Sequence, residues 1–195
     1  MRGYVVGLFK VVTVILVMTL PTLAYAAGIG SKFKDFENEW NKGYKQEFGD
    51  DVRIGYNKKR SIAYSKSDSF DGKVAYISGE LWGMFGADGN SLPTQAQFAK
   101  GIRSMMPSDS KLISKYVGDR GYKQAMYIFK SETLSRMKGI DTLTSYKIDK
   151  NPKGLFFLKT THDVSNENLV INFHLIISSG DRDRDGMKKV KATFP

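Results

Sequence analysis

LFFLKTTHDVSNENLVINFHLIISSGDRDRDGMKKVKATF, residues 155–194, decides the fold of this chain. LFFLKTTHDV and LVINFHLIISS are rich in aromatic and β-branched side chains and are bounded by turn residues, the composition of strands. SNEN, residues 165–168, and GDRDRDG, residues 180–186, stand between the strand segments as turns. Connections this short join antiparallel neighbours. They predict a C-terminal β-meander in which Phe173, Leu175 and Ile177 share a buried face with Val190 and Phe194 of the next strand.

Working back toward the N-terminus, SKLISKYV, YKQAMYIFKS and TLTSYKI read as further strands, with a short helical piece over residues 132–138 and a turn at DKNPKG. VRIGY alternates Val52, Ile54 and Tyr56, and SIAYS alternates Ile62 and Tyr64. KVAYISGELWGMF follows an Asp71-Gly72 pair that reads as a hairpin turn.

Two helices break the strand pattern. Phe33, Phe36, Trp40, Tyr44 and Phe48 fall at helical spacing behind a Ser31 cap with Asp35 in the first turn. The polar face of this helix mixes acids with lysines, which fits core packing better than a membrane surface. In LPTQAQFAKGIRSMMPSD, Thr94 and Gln97 spell a capping box, Phe98, Ile102 and Met105 form the apolar face, and Pro107 ends the helix. Gly101 inside it predicts a close approach to a neighbour, since glycine costs about 1 kcal/mol there relative to alanine. The class is therefore α+β: two main helices packed on an antiparallel sheet with a C-terminal β-meander.

Residues 1–26 read as a cleaved signal peptide. Arg2 and Lys10 make the positive region, Val11 begins an apolar run, Pro21 breaks it, and Ala24-Tyr25-Ala26 presents small residues for cleavage. The run falls short of the ~20 residues that span a bilayer. Residues 27–195 are expected to form a single domain outside the cytoplasm, periplasmic or secreted, with no membrane-spanning segment after cleavage. Removing Arg2 and Lys10 leaves 28 Lys and Arg against 20 Asp and Glu, a net charge of +8, and there is no cysteine. Stability then rests on packing rather than disulfides. Intracellular nucleic acid is not an expected partner. The basic balance suits an anionic envelope polymer, and a protein partner is the other expectation. Lys58, Lys59 and Arg60 are the densest basic spot and the candidate anion-binding residues.

Metal and catalytic motifs are sparse. Asp181, Asp183 and Asp185 ahead of Gly186 match the first acidic positions of a calcium loop, but the twelfth position is Ala192 where a glutamate belongs. They are the candidate calcium ligands, with a charged turn as the favoured reading, and no other cofactor is implied. His162 and His174 either lie four residues apart on one face or, with the register shifted by one, face opposite ways. Neither arrangement gives a shared metal site, and partly exposed strand positions are expected for both. Ser108-x-x-Lys111 and Lys159-Thr160-Thr161 echo serine-enzyme motifs in the wrong setting, since the serine follows a proline that closes a helix. The expectation is an exported, non-catalytic binding protein; the alternative is an extracytoplasmic hydrolase whose acidic residues converge in a cleft.

Overall fold

The structure, a computed structural model, describes residues 27–40, 44–48, 52–57, 60–67, 70–81, 92–119, 121–140 and 153–195. The leader, Lys58, Lys59, the side chain of Arg60 and the TLTSYKI segment lie outside the described residues.

In chain order the elements are α1 (Phe33–Trp40), β1 (Tyr44–Phe48), β2 (Val52–Asn57), β3 (Arg60–Ser67), β4 (Lys73–Glu80) and α2 (Gln95–Ile102). A 3-10 turn (Arg103–Met105) extends α2, and β5 (Lys111–Asp119), β6 (Lys123–Lys130), α3 (Glu132–Ser135), β7 (Leu155–His162), β8 (Val170–Ile176) and β9 (Lys188–Val190) follow. The strands form one sheet in the order β1-β2-β3-β4-β8-β7-β6-β5-β9, antiparallel at each pairing. An antiparallel sheet with few helices is an α+β composition.

Local chemistry explains several elements. Asp71 and Gly72 both adopt positive φ, 57° and 64°, as a tight hairpin turn requires, and Lys73 holds the Asp71 carboxylate at 2.8 Å. The α2 capping box is complete: the Thr94 hydroxyl accepts from the Gln97 amide, and the Gln97 side chain accepts from the Thr94 amide at 2.9 Å. Phe98, Ile102 and Met105 are buried, and Phe98 packs on Phe173 of β8 with ring centroids 5.3 Å apart. At α1 the aromatic stripe is shorter than the spacing suggests. The helix ends at Trp40, and Tyr44 and Phe48 lie on β1. Phe33 and Phe36 are buried against Tyr64 of β3, at 5.3 and 4.6 Å. The residue just before α1 is Lys32 rather than Ser31, whose hydroxyl donates to the Gly28 carbonyl at 2.6 Å.

The C-terminal hairpin is a correction. Strand β8 has no free edge: β4 pairs with one side of it and β7 with the other. Strand β9 therefore pairs with β5, matching Lys115 with Val190, Tyr116 with Lys189 and Val117 with Lys188. Since β8 and β9 run in the same direction, residues 177–187 cross the sheet rather than turn back. They cross over a small apolar cluster of Met126, Ile128 and Phe157, separate from the main core, with Tyr116, Ile176 and Met187 against it. A Cβ built on Gly180 would sit 2.1 Å from Met126 Cε, and Met187 Cγ lies 3.1 Å from the corresponding point on Gly118. Phe194 lands on the other side of β9, edge-on to Tyr127 at 5.1 Å and Phe129 at 5.4 Å, partly buried against the main core.

Residues 27–30 are not a loose tail. They are buried, with the Ile29 amide donating to the Met105 carbonyl and the Gly30 amide to Val74. A Cβ at Gly28 would lie 2.2 Å from the Met105 carbonyl oxygen, a backbone atom that cannot rotate away. Gly101, by contrast, meets nothing within 4 Å and is exposed, so its expected packing role is absent. Opposite outcomes are expected on denaturation. Gly101→Ala should stabilise by about 0.5–1 kcal/mol, and Gly28→Ala should destabilise by more than ~2 kcal/mol. Equal effects would refute this packing.

Candidate functional site

Where the β5–β6 turn, the β7–β8 turn and the start of α2 meet, a cavity of about 350 Å³ opens. That volume falls in the ordinary range for small-ligand sites. Its lining includes Gln95, Lys115, Lys123, Tyr127, His162 and Glu167. Alternation brings these together: Lys115, Val117 and Asp119 share one face of β5, and their partners Tyr127, Ala125 and Lys123 share the same face of β6.

The β7–β8 turn is held by its own side chains. The Asp163 carboxylate accepts from the Ser165 amide at 2.7 Å, the Asn166 amide at 3.1 Å and the Ser165 hydroxyl. These bonds keep its carboxyl below the usual range. The start of α2 is tied to the turn by Gln95 N–H to Asn168 C=O and Val170 N–H to Pro93 C=O. The Glu167 carbonyl is thereby aimed inward, accepting from Gln95 Nε2 at 2.9 Å and from His162 Nδ1 at 2.8 Å.

His162 is buried, not partly exposed as its strand position suggested. Because a carbonyl can only accept, Nδ1 carries the proton, and Nε2 takes the Thr160 hydroxyl at 2.9 Å. Burial pushes its pKa down and Lys115 adds to that, against the opposing pull of the Glu167 carbonyl. Beside it, burial pushes the Tyr127 phenol up to about 12, so it remains a protonated donor. Lys123 is held by Asp119 at 2.8 Å and Glu167 at 3.6 Å, which together keep its ammonium above the usual range. Lys115 lies over the Tyr127 ring, 5.2 Å from its centroid, and no carboxylate among the described residues pairs with it.

The sequence-derived candidates fall elsewhere. Near the β7–β8 turn the register pairs His162 with Val170; beyond a bulge at Thr161/His162 it shifts by one and pairs Lys159 with His174. The two histidines consequently face opposite ways. His174 Nδ1 and the Tyr76 hydroxyl share a hydrogen bond of 2.9 Å; burial and then Lys159 lower the imidazole's pKa, opposed by Asp183. In the crossing segment, the Asp181 carboxylate takes the Ser179 hydroxyl at 3.0 Å and the Arg184 guanidinium. Among the described residues no three His, Asp or Glu side chains gather to hold a metal ion. The Asp109 carboxylate of the S-x-x-K stretch serves α3, accepting from Ser131 Oγ at 2.6 Å and the Thr133 amide at 2.8 Å.

No helix among the described residues is long and apolar enough to cross a membrane. No protein-family model matches the chain, and no curated protein or solved structure matches it.

Both histidines are held below their ordinary value in the folded chain, so they stay neutral while the unfolded chain takes up protons. Their contribution is complete above about pH 6.5 and is lost as pH falls below it toward the folded values. Melting temperature should therefore drop between about pH 7 and about pH 5, and less steeply in His162→Gln/His174→Gln. An identical slope in parent and variant would contradict the assignment.

Proposed function

We propose that this is an exported, non-catalytic binding protein whose cavity takes the anionic group of an extracytoplasmic envelope component. The observation that carries this is the charge balance within the cavity. Lys123 is compensated by Asp119 and Glu167, whereas Lys115 has no acidic partner among the described residues. A ligand phosphate or carboxylate would supply that partner, with the Tyr127 hydroxyl and the Gln95 and Gln124 amides as further polar groups in the lining. Both ring nitrogens of His162 are engaged, so this imidazole is not a free general base, which supports binding over catalysis. The architecture that accompanies this reading is two helices covering one face of the sheet, with β5 to β8 as the meander.

Export is supported by the leader pattern and by one contact. The Ala27 nitrogen lies 2.7 Å from Glu39 Oε2, so cleavage after Ala26 would turn that hydrogen bond into an ion pair. The hydrolase reading has its own observation, that Asp119 and Glu167 line one cavity. Yet their side chains are 61% and 65% exposed and share the Lys123 ammonium. A general acid needs burial or a neighbouring negative charge to raise its carboxyl.

Titration with methyl phosphate tests the proposal. Lys115→Gln should weaken binding about tenfold or more, and added salt should weaken it in the parent. Undiminished binding by Lys115→Gln would reject the site.

A further inference from the structure

The cavity has a smaller neighbour. A second, much smaller hollow shares Gln95, Tyr127 and His162 with it, and its remaining lining is largely apolar: Phe98, Ala99, Val170 and Phe194 among others. The shared residues set the two hollows side by side, the smaller one in the seam between α2 and the sheet where Phe194 stands.

What holds Phe194 there is limited. Residues 191–195 have no regular secondary structure, and no hydrogen bond or salt bridge secures them among the described residues. The side chain rests edge-on against Tyr127 and Phe129, with the Arg103 guanidinium 4.8 Å from its ring centroid. It is only partly buried, unlike Phe98 and Phe129 beside it. A partly buried aromatic plug held by ring contacts can be exchanged for another apolar group, because the apolar burial that the plug supplies is non-directional and can come from a hydrocarbon instead.

We infer that the ligand is an anionic amphiphile: its charged group meets Lys115, and its hydrocarbon part enters the seam by displacing Phe194. The inference rests on the proposed anion-binding role of the cavity and names the ligand class. The Lys115 ammonium in the larger hollow and the largely apolar lining of the smaller one match a head and tail in that order, and the segment carrying Phe194 acts as a strap that closes the seam when no ligand is bound.

Dodecyl phosphate, kept below its micelle concentration, and methyl phosphate distinguish the possibilities in calorimetric titrations of the purified protein. The expected result is that dodecyl phosphate binds about tenfold or more tighter than methyl phosphate. Phe194→Ala should tighten dodecyl phosphate binding several-fold and leave methyl phosphate unchanged, since it removes the competing plug. Phe194→Leu, which keeps a smaller apolar side chain, should fall between, and serves if the alanine variant fails to fold. Equal affinity for the two phosphates would overturn the amphiphile inference while leaving the Lys115 site in place. Weaker dodecyl phosphate binding in both variants would make Phe194 part of the binding wall and overturn the plug. Binding of neither phosphate would overturn the anion-binding reading as well.

Discussion

Strand β8 is hydrogen-bonded on both sides, to β4 and to β7, and much of the remaining structure depends on that constraint. Its pairing joins β1–β4 to β5–β7 in one sheet and leaves no edge on which the following segment can fold back. The chain must travel to the next open edge, that of β5, and reaching it takes residues 177–187 across the sheet. One topological fact thus places Met187 and Gly180 over Met126 and Phe157, and Phe194 over Tyr127 and Phe129.

The ladder and the flanking side chains share in holding that edge. Strand β9 matches only three residues with β5, and each net hydrogen bond contributes ~0.5–1.5 kcal/mol. Fully burying a large apolar side chain contributes ~1.5–3 kcal/mol, and Met187 on one face and Phe194 on the other, both partly buried, each add a part of that to the ladder. The strand is held from both faces by side chains just outside it. Its own sequence, with Lys188 and Lys189 exposed, suits a sheet edge that must not recruit further strands.

Local chemistry was legible in the sequence where the signal is short-range. The Thr94–Gln97 box, the Asp71-Gly72 turn and the β5–β6 and β7–β8 pairings each depend on residues close together in the chain. The place of β8 depends on β4, nearly a hundred residues away in the pairing of Ser78 with His174, and no turn motif encodes that. A hint was present: the near-continuous apolar run of LVINFHLII suits a central strand paired on both sides better than half of an edge hairpin. The cavity was hidden for a related reason. Lys115, Asp119, Lys123 and His162 are unremarkable polar residues on three strands until the register sets them at one end of one face. The dense charge runs that drew attention in the sequence are elsewhere, with Asp181 occupied by Ser179 and Arg184.

The crossing itself is open to one direct measurement, a nuclear Overhauser spectrum of the isotope-labelled protein. The account predicts cross-strand contacts from Lys115, Tyr116 and Val117 to Val190, Lys189 and Lys188, and from the Phe194 ring to the rings of Tyr127 and Phe129. Cross-strand contacts between residues 188–190 and β8, the signature of a hairpin closed by GDRDRDG, would contradict it.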